Sequence, residues 1–262
     1  MKKKYLIKKK NSKPFFSIIT VVKNSEHLIE KTIKSIIGQS FKDFEYIIID
    51  GKSDDDTIAK ILRFKKEINL LLSERDEGIY FAMNKGIDLS NGKVLLFVNS
   101  GDHLTRNALK KVNDLFKKNN ELNFIFGTVQ RCYTKKKILK YGFNSQRLKY
   151  NFDFATAHST GIFIKRLDII KLGKIDTSYK CSADYDLYYK AIVKKKLMGG
   201  CTKKKDLIGV VSRGGFASKI KYLDHLIEET KIRVENGQNI FFVTLIFVNS
   251  IIKNFFTILK EF

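Results

Sequence analysis

Four short apolar runs alternate with stretches of helical period through the first hundred residues: FSIITVV (Phe16 to Val22), EYIIID (Glu45 to Asp50), INLLLSE (Ile68 to Glu74) and VLLFVNS (Val94 to Ser100). Each run is nearly continuous and rich in β-branched residues, the pattern of a strand covered on both faces. Between them, Glu26 to Ile37 places Leu28, Ile29, Thr32, Ile33, Ile36 and Ile37 on one side, and Thr57 to Phe64 and Ile79 to Leu89 do likewise. Strands alternating with helices imply right-handed crossovers and a parallel sheet. The expected class is therefore α/β, with a Rossmann-like, mostly parallel central sheet flanked by helices. A chain of 262 residues, 44% of them hydrophobic, can fill such a core, which excludes a disordered or fibrous reading.

Further along the pattern loosens. A fifth apolar run, Phe124 to Val129, precedes a lysine-rich turn at Lys135 to Lys137. Later a strand is expected at Gly161 to Ile164 and a helix from Ala183 to about Val193. No internal repeat and no Gly/Ser/Pro linker divides the chain. The organisation expected is a basic arm over 1–13, one globular unit over 14–235 with a nucleotide-binding half (14–102) and an acceptor half (103–235), and a C-terminal amphipathic helix within 236–262. In that last segment Asn249, Ser250, Lys253, Asn254, Thr257 and Lys260 recur at spacings of three and four, drawing a polar stripe along an otherwise apolar helix. Lys253 inside the run argues against a spanning helix. Two readings stay open, an interfacial helix lying on anionic lipid and a helix packed on the domain or against a second copy of the chain.

Fifty basic residues against 27 acidic ones give a net charge of +23. Such a balance attracts phosphate, in nucleic acid or on an anionic membrane. The bias has a second source, because 42 of the basic residues are Lys and 8 are Arg, in a chain rich in Ile, Asn and Phe with one Pro and no Trp. A/T-rich codons favour that whole set. Cys132, Cys181 and Cys201 are too few and too irregular for a disulfide framework or a zinc site, which favours a reducing compartment. The basic start has only Tyr5-Leu6-Ile7 before more lysines and so lacks the apolar core of a secretory signal. The expected location is the cytoplasm, peripheral on the inner face of the plasma membrane.

The polar residues of the first half cluster where strands end: Lys23-Asn24, Asp50-Gly51 and Asn99-Ser100-Gly101-Asp102. In open α/β sheets ligands sit at the carboxyl ends of the strands, where loops diverge and helix N-termini point inward. Asp50, Asp55, Asp76 and Asp102 crowd carboxylates at that rim, a costly arrangement without a ligand or cation to offset it. Carboxylates beside a phosphate site point to Mg²⁺ or Mn²⁺, which bridges protein to diphosphate and acts as a Lewis acid on the leaving group.

Ser17-Ile18-Ile19-Thr20-Val21-Val22-Lys23-Asn24 resembles the first strand of family 2 glycosyltransferases of the GT-A fold, and Asp50-Gly51-Lys52-Ser53-Asp54-Asp55-Asp56-Thr57 their second strand and turn. Ser73 to Gly86 is similar to a segment of the branch that builds bacterial surface polysaccharides. Asn99-Ser100-Gly101-Asp102 stands where the family carries its Asp-rich metal motif, Ser182 to Leu187 resembles the catalytic-base segment, and Arg213-Gly214-Gly215-Phe216-Ala217-Ser218 a late Gly-Gly loop. The likeness runs from Phe15 to Ser218.

The resemblance implies that Thr20, Val22 and Asn24 flank the nucleotide and that Asp50 faces its base or ribose. Asp76, Asn84 and Lys85 would approach donor phosphate or sugar, with Ser100 and Gly101 in the donor turn. Core packing is the alternative for Val22, and a helix-end hydrogen bond for Asn84. Asp102 is the implied metal ligand, the one acid left in a motif where Asn99 and Gly101 stand at positions that are Asp in many relatives. Asp184 is the implied general base, with a helix N-terminal acid as its alternative. His158 would bind diphosphate or complete the metal shell, or else is an ordinary solvent-edge histidine; Arg213 would meet phosphate from a flap, or belongs to a plain turn. The activity implied is inverting transfer of a sugar from a nucleotide-diphosphate donor, a UDP-sugar foremost, to a hydroxyl of a growing surface glycan on a lipid-linked acceptor. A nucleotidyltransferase would share the sheet and the metal logic, but no early Gly-rich nucleotide loop is present. A nucleic-acid-binding protein would want clustered Arg and aromatics, whereas these lysines are scattered.

Overall fold

The computed structural model describes residues 5–8, 13–133, 136–146, 158–212 and 220–259. In chain order the elements are β1 (Tyr5–Lys8), β2 (Phe16–Val22), α1 (Ile29–Ile37), β3 (Phe44–Asp50), α2 (Thr57–Leu62), β4 (Leu70–Ser73), α3 (Ile79–Leu89), β5 (Val94–Phe97), β6 (His103–Leu104) and α4 (Ala108–Lys118). There follow β7 (Phe124–Phe126), β8 (Thr128–Cys132), β9 (Lys137–Lys140), β10 (Ile162–Lys165), α5 (Arg166–Lys171), α6 (Ala183–Tyr189), β11 (Gly199–Cys201), β12 (Leu207–Val211), α7 (Tyr222–Glu235) and α8 (Ile240–Leu259).

The main sheet runs in the order β1-β4-β3-β2-β5-β10-β7-β11. Its centre, β4-β3-β2-β5, is parallel throughout, as the alternation of strand and helix requires, and β10 enters antiparallel between β5 and β7. The continuous apolar runs are explained by cover on both faces. Ile19, Ile47 and Ile49 join one core layer, while Ile18, Ile48 and Leu96 join the layer on the other side. Helix α3 lies close on β2 because residue 86 is glycine, where a Cβ would come 2.5 Å from Ile19 Cγ2.

Three sequence expectations shift. The basic arm contributes β1, an edge strand antiparallel to β4. The run Phe124 to Val129 divides at Gly127 into strands of two different sheets, β7 in the main one and β8 in a smaller sheet ordered β6-β12-β8-β9. The helix expected to run from Ala183 to about Val193 closes its α-helical part at Tyr189 and continues as a π-helical turn, Lys190–Lys194. The three cysteines are free thiols. Among the described residues, no helix is long and apolar enough to cross a membrane.

Candidate active site

Asp50 ends β3 fully buried, and its carboxylate is satisfied at once. Ser53 donates its backbone N–H to Oδ2 at 3.0 Å and its hydroxyl to Oδ1 at 2.5 Å, and the Ser73 hydroxyl reaches Oδ2 at 2.7 Å. Asp50 thereby ties the ends of β3 and β4 to the turn between them and α2. Asn24, in the left-handed region at φ 48°, closes the same turn from β2. Its N–H donates to Ser53 Oγ at 2.9 Å and its Oδ1 accepts from Asp54 N at 3.1 Å. Thr20 and Val22 lie deeper. The Thr20 hydroxyl donates to the Val98 carbonyl at 2.8 Å and pairs with Tyr46 Oη, while Val22 belongs to the core under α1. These two shape the floor of the rim from below.

Asp76 stands above Asp50. Its Oδ2 comes within ordinary van der Waals reach, 3.6 Å, of where a Cβ on Gly51 would stand. Lys85 Nζ bridges Asp76 Oδ1 and Glu74 Oε1 at 2.5 Å each. Burial pushes the Asp76 pKa up against the pull of Lys85. Asn84, one residue before this lysine, turns the other way. Its amide donates to the Ile175 carbonyl at 2.7 Å and accepts from Ile175 N at 3.1 Å, pinning α3 to the loop before α6. Its amide is thus spent on backbone, a different use from the sugar contact expected of it.

The turn after β5 carries Asn99 to Asp102, with Gly101 at φ 97° and its N–H held by the Thr32 hydroxyl at 3.0 Å. Asp102 is buried. Thr160 Oγ1 donates to its Oδ2 at 2.7 Å and Ser212 N to its Oδ1 at 2.9 Å. Burial raises its pKa to about 6, more than these two donors and the Arg131 charge lower it. His158 approaches Oδ2 at 3.6 Å through Nδ1, the atom that accepts the Thr160 N–H at 3.3 Å. Burial and then the Arg131 charge drop its pKa to about 3, so the ring is neutral at ordinary pH. His158 is partly buried beside Asp102, its side chain 21% exposed. Arg213 lies outside the described residues.

β3, which ends at Asp50, and β5, which leads to the turn of Asp102, lie on either side of β2 and run parallel to it, so both chains leave the sheet at the same carboxyl edge. Polar atoms left without partners mark that edge. Among the described residues, buried side-chain atoms with no hydrogen bond include Asn99 Oδ1 and Ser100 Oγ just beyond β5 and His103 Nδ1 at the start of β6, while Asp76 just beyond β4 has Lys85 as its partner. Buried polar atoms ordinarily find partners, and a cluster of orphans at the mouth of a sheet is what a polar ligand would satisfy.

Asp184 opens α6 at the same edge. Burial pushes its pKa up, opposed by one backbone bond from Tyr185 N and by the charge of His225. The neighbouring charge of Asp184 in turn raises Tyr80, in the first turn of α3, and Tyr188, for both of which burial is the larger cause. The segment before Asp184 is held from α7. Glu228 accepts the N–H groups of Lys180, Cys181 and Ser182 at 2.7, 2.7 and 2.6 Å, and Ser182 Oγ pairs with His225 Nδ1 at 3.3 Å. Burial raises the Glu228 pKa, but these donors outweigh it and hold it below the usual carboxylate range. Glu228, His225, Thr160 and Ser212 carry no motif of their own, and sequence reading missed them. Their partners lie 46 to 110 residues away in three of the four contacts, beyond any local pattern.

A parallel sheet extended by an antiparallel strand, with helices on both faces, is the GT-A type of α/β fold. Two solved structures share that fold. S. aureus TarS 1–349 in complex with UDP-GlcNAc superposes at a TM-score of 0.67 with 17% identity, over 84% of this chain and 66% of that one. The mannosyltransferase PcManGT from Pyrobaculum calidifontis, in complex with GDP-Man and Mn²⁺, superposes at 0.65 with 16% identity, over 94% and 72%.

The Glycosyl transferase family 2 profile matches residues 17–171, and the chain belongs to this family. Its resemblance to a PGL/p-HBAD biosynthesis glycosyltransferase of Mycobacterium tuberculosis is 30% identity over 179 residues, 66% of this chain and 68% of that protein. With the Escherichia coli UDP-Glc:alpha-D-GlcNAc-diphosphoundecaprenol beta-1,3-glucosyltransferase WfgD it shares 29% identity over 136 residues. The chain spans about half of WfgD, 53%. The family match sets aside the nucleotidyltransferase reading.

Proposed function

We propose that the protein is an inverting glycosyltransferase that moves a sugar from a UDP-sugar to a hydroxyl of a growing, lipid-linked bacterial surface glycan. The observation that carries this reading is the gathering at one sheet edge of unpartnered buried polar atoms at Asn99 and Ser100 with the Lys85-paired carboxylate of Asp76 and a carboxylate of raised pKa at Asp184. The names of WfgD and of the TarS complex support a UDP-linked donor, and that of WfgD a diphosphoundecaprenol acceptor.

In this reading the turn tied by Asp50, Ser53 and Asn24 cradles the nucleoside, and Lys85 meets the donor from its bridge between Glu74 and Asp76. Asp184 takes the proton of the acceptor hydroxyl as that oxygen bonds to the anomeric carbon. The bond from that carbon to the diphosphate breaks, and the diphosphate leaves with the electron pair. A partly buried carboxylate with a raised pKa is the stronger base for this transfer. No covalent enzyme intermediate is needed.

The donor set fits a weakly held Mg²⁺ or Mn²⁺. Asp102 supplies one carboxylate, and the unpaired Asn99 Oδ1 and Ser100 Oγ are hard oxygen donors beside it. Among the described residues no group of three or more His, Cys, Asp or Glu could hold a metal alone, so donor oxygens would complete the shell. When bound, the ion would neutralise charge on the departing diphosphate. Titration calorimetry with UDP-, GDP- and dTDP-sugars in the presence of Mn²⁺ tests the proposal: a UDP-sugar should bind best, and absence of binding by all three overturns it.

A further inference from the structure

Helix α8 leaves most of its apolar side chains uncovered by the rest of the molecule. Of its polar residues, Ser250 and Asn254 turn toward the protein, both half-buried, with Asn254 Nδ2 donating to the Tyr222 hydroxyl of α7 at 2.9 Å, while Asn249 and Lys253 are exposed. Only Val243, Ile246 and Ile258 among its apolar residues are buried. Phe241, Leu245, Val248, Ile252, Phe255 and Phe256 point to solvent, with Phe241 at 71% and Phe256 at 78% exposure. Their spacing of three, four and one keeps them on one side of the helix, opposite α7, in a ridge some 15 residues or about 22 Å long. The helix kinks at Asn254, and the two phenylalanines beyond the kink are exposed as well. A continuous ridge of this kind is unlike the single apolar residues scattered over ordinary surfaces.

Basic residues stand at both ends. The exposed run Lys194-Lys195-Lys196 closes the π-helical turn after α6, and Lys194 Nζ donates to the Asn236 carbonyl at 2.7 Å, just before α8 begins. At the other end Lys253 is exposed on the flank of the ridge, and Lys221 precedes the α7 residue that holds Asn254. An apolar ridge flanked by lysines on a chain of net charge +23 matches an anionic bilayer, apolar below and negatively charged at its surface. A second copy of this chain would bring the same lysines together.

We propose that α8 lies flat in the surface of an anionic lipid bilayer, its phenylalanine ridge entering the acyl boundary and the flanking lysines meeting the headgroups. The helix α7 that carries α8 also grips the segment before Asp184 through Glu228, so docking would hold the acceptor side of the site beside the leaflet. The proposal does not depend on the donor or on the reaction.

The test is co-sedimentation of the full chain with vesicles of phosphatidylcholine alone or mixed in equal parts with phosphatidylglycerol. Binding to the mixed vesicles is expected, at least about tenfold weaker on phosphatidylcholine and weakened by salt. Two variants separate the parts: Phe241→Ser with Ile252→Ser and Phe256→Ser should lose binding about tenfold or more, and Lys194→Gln with Lys195→Gln and Lys196→Gln should lose the preference for the anionic lipid. All six positions are exposed, and unchanged circular-dichroism melts show that the fold survives. Failure of the wild type to sediment with anionic vesicles overturns the proposal. So does a dimer in gel filtration that the serine variant dissociates and that vesicles do not displace, which would make the ridge a self-association face.

Discussion

The two sides of the candidate site are built on different principles. On the nucleotide side, Asp50 is buried and surrounded by donors from Ser53 and Ser73, the first of them three residues away. On the proposed acceptor side, Asp184 is partly buried and accepts from the backbone N–H of Tyr185, and the loop before it hangs from Glu228 some 46 residues on. Burial with donors makes a carboxylate a fixed brace. The raised pKa of Asp184 suits proton transfer.

The sharpest way to break this contrast is Asp184→Asn. Transfer should fall about a thousandfold, within the range of a lost general base, while donor binding by calorimetry changes less than about twofold. A loss of donor binding instead would move Asp184 to the nucleotide side. Stability should move the opposite way to activity. The folded state holds the Asp184 pKa above its unfolded value, so the group favours folding at acidic pH and withdraws that support as pH rises through the raised value. The Asn variant has no charge to bury, and its melting temperature should gain on that of the wild type from acidic to neutral pH.

Asp102→Ala tests the metal assignment. Donor affinity in Mn²⁺ should drop about tenfold and become insensitive to chelator, and an affinity that chelator never altered, even in the wild type, would remove the ion from the site. Glu228→Gln sharpens the comparison from the acceptor side. The three N–H groups keep an acceptor but lose its charge, so kcat should fall about tenfold with the donor KM unchanged, and stability by about 1–2 kcal/mol. Glu228→Ala should lose more of both. A shift in donor KM alone would show that Glu228 does not act through the base loop. The smallest effect belongs to Ser73→Ala. With Ser53 still bonded to Asp50, about 1 kcal/mol of stability and less than about threefold in donor KM should change.

Much of the architecture was legible in the sequence. The strands Phe16–Val22 and Phe44–Asp50 and the helices Ile79–Leu89 and Ile240–Leu259 lie where apolar runs and helical periods place them. The carboxyl edge followed from the α/β pattern, because parallel strands gather their ends on one side. The run Phe124 to Val129 read as one strand because a residue pattern with both faces covered contains no mark of where a chain leaves one sheet for another. Gly127 makes that crossing, and the contact that requires it, Ile208 at 2.8 Å from a would-be Cβ, comes from a strand far along the chain. The amphipathicity of Ile240 to Leu259 was legible as well, but not which side of the helix meets the protein.

Local order in this protein, the strand and helix periods and the Asp50–Ser53 turn, was determined by the sequence alone, since those contacts join residues a few positions apart. What the tertiary structure decided is everything joined across distance: that Thr160 and Ser212 serve Asp102, that Glu228 serves the loop of Asp184, that Asn84 serves Ile175, and that α8 turns its phenylalanines outward. A hydrogen-bond partner is chosen by proximity in the folded chain, and proximity between distant residues is a property of the packing, which no short-range pattern encodes.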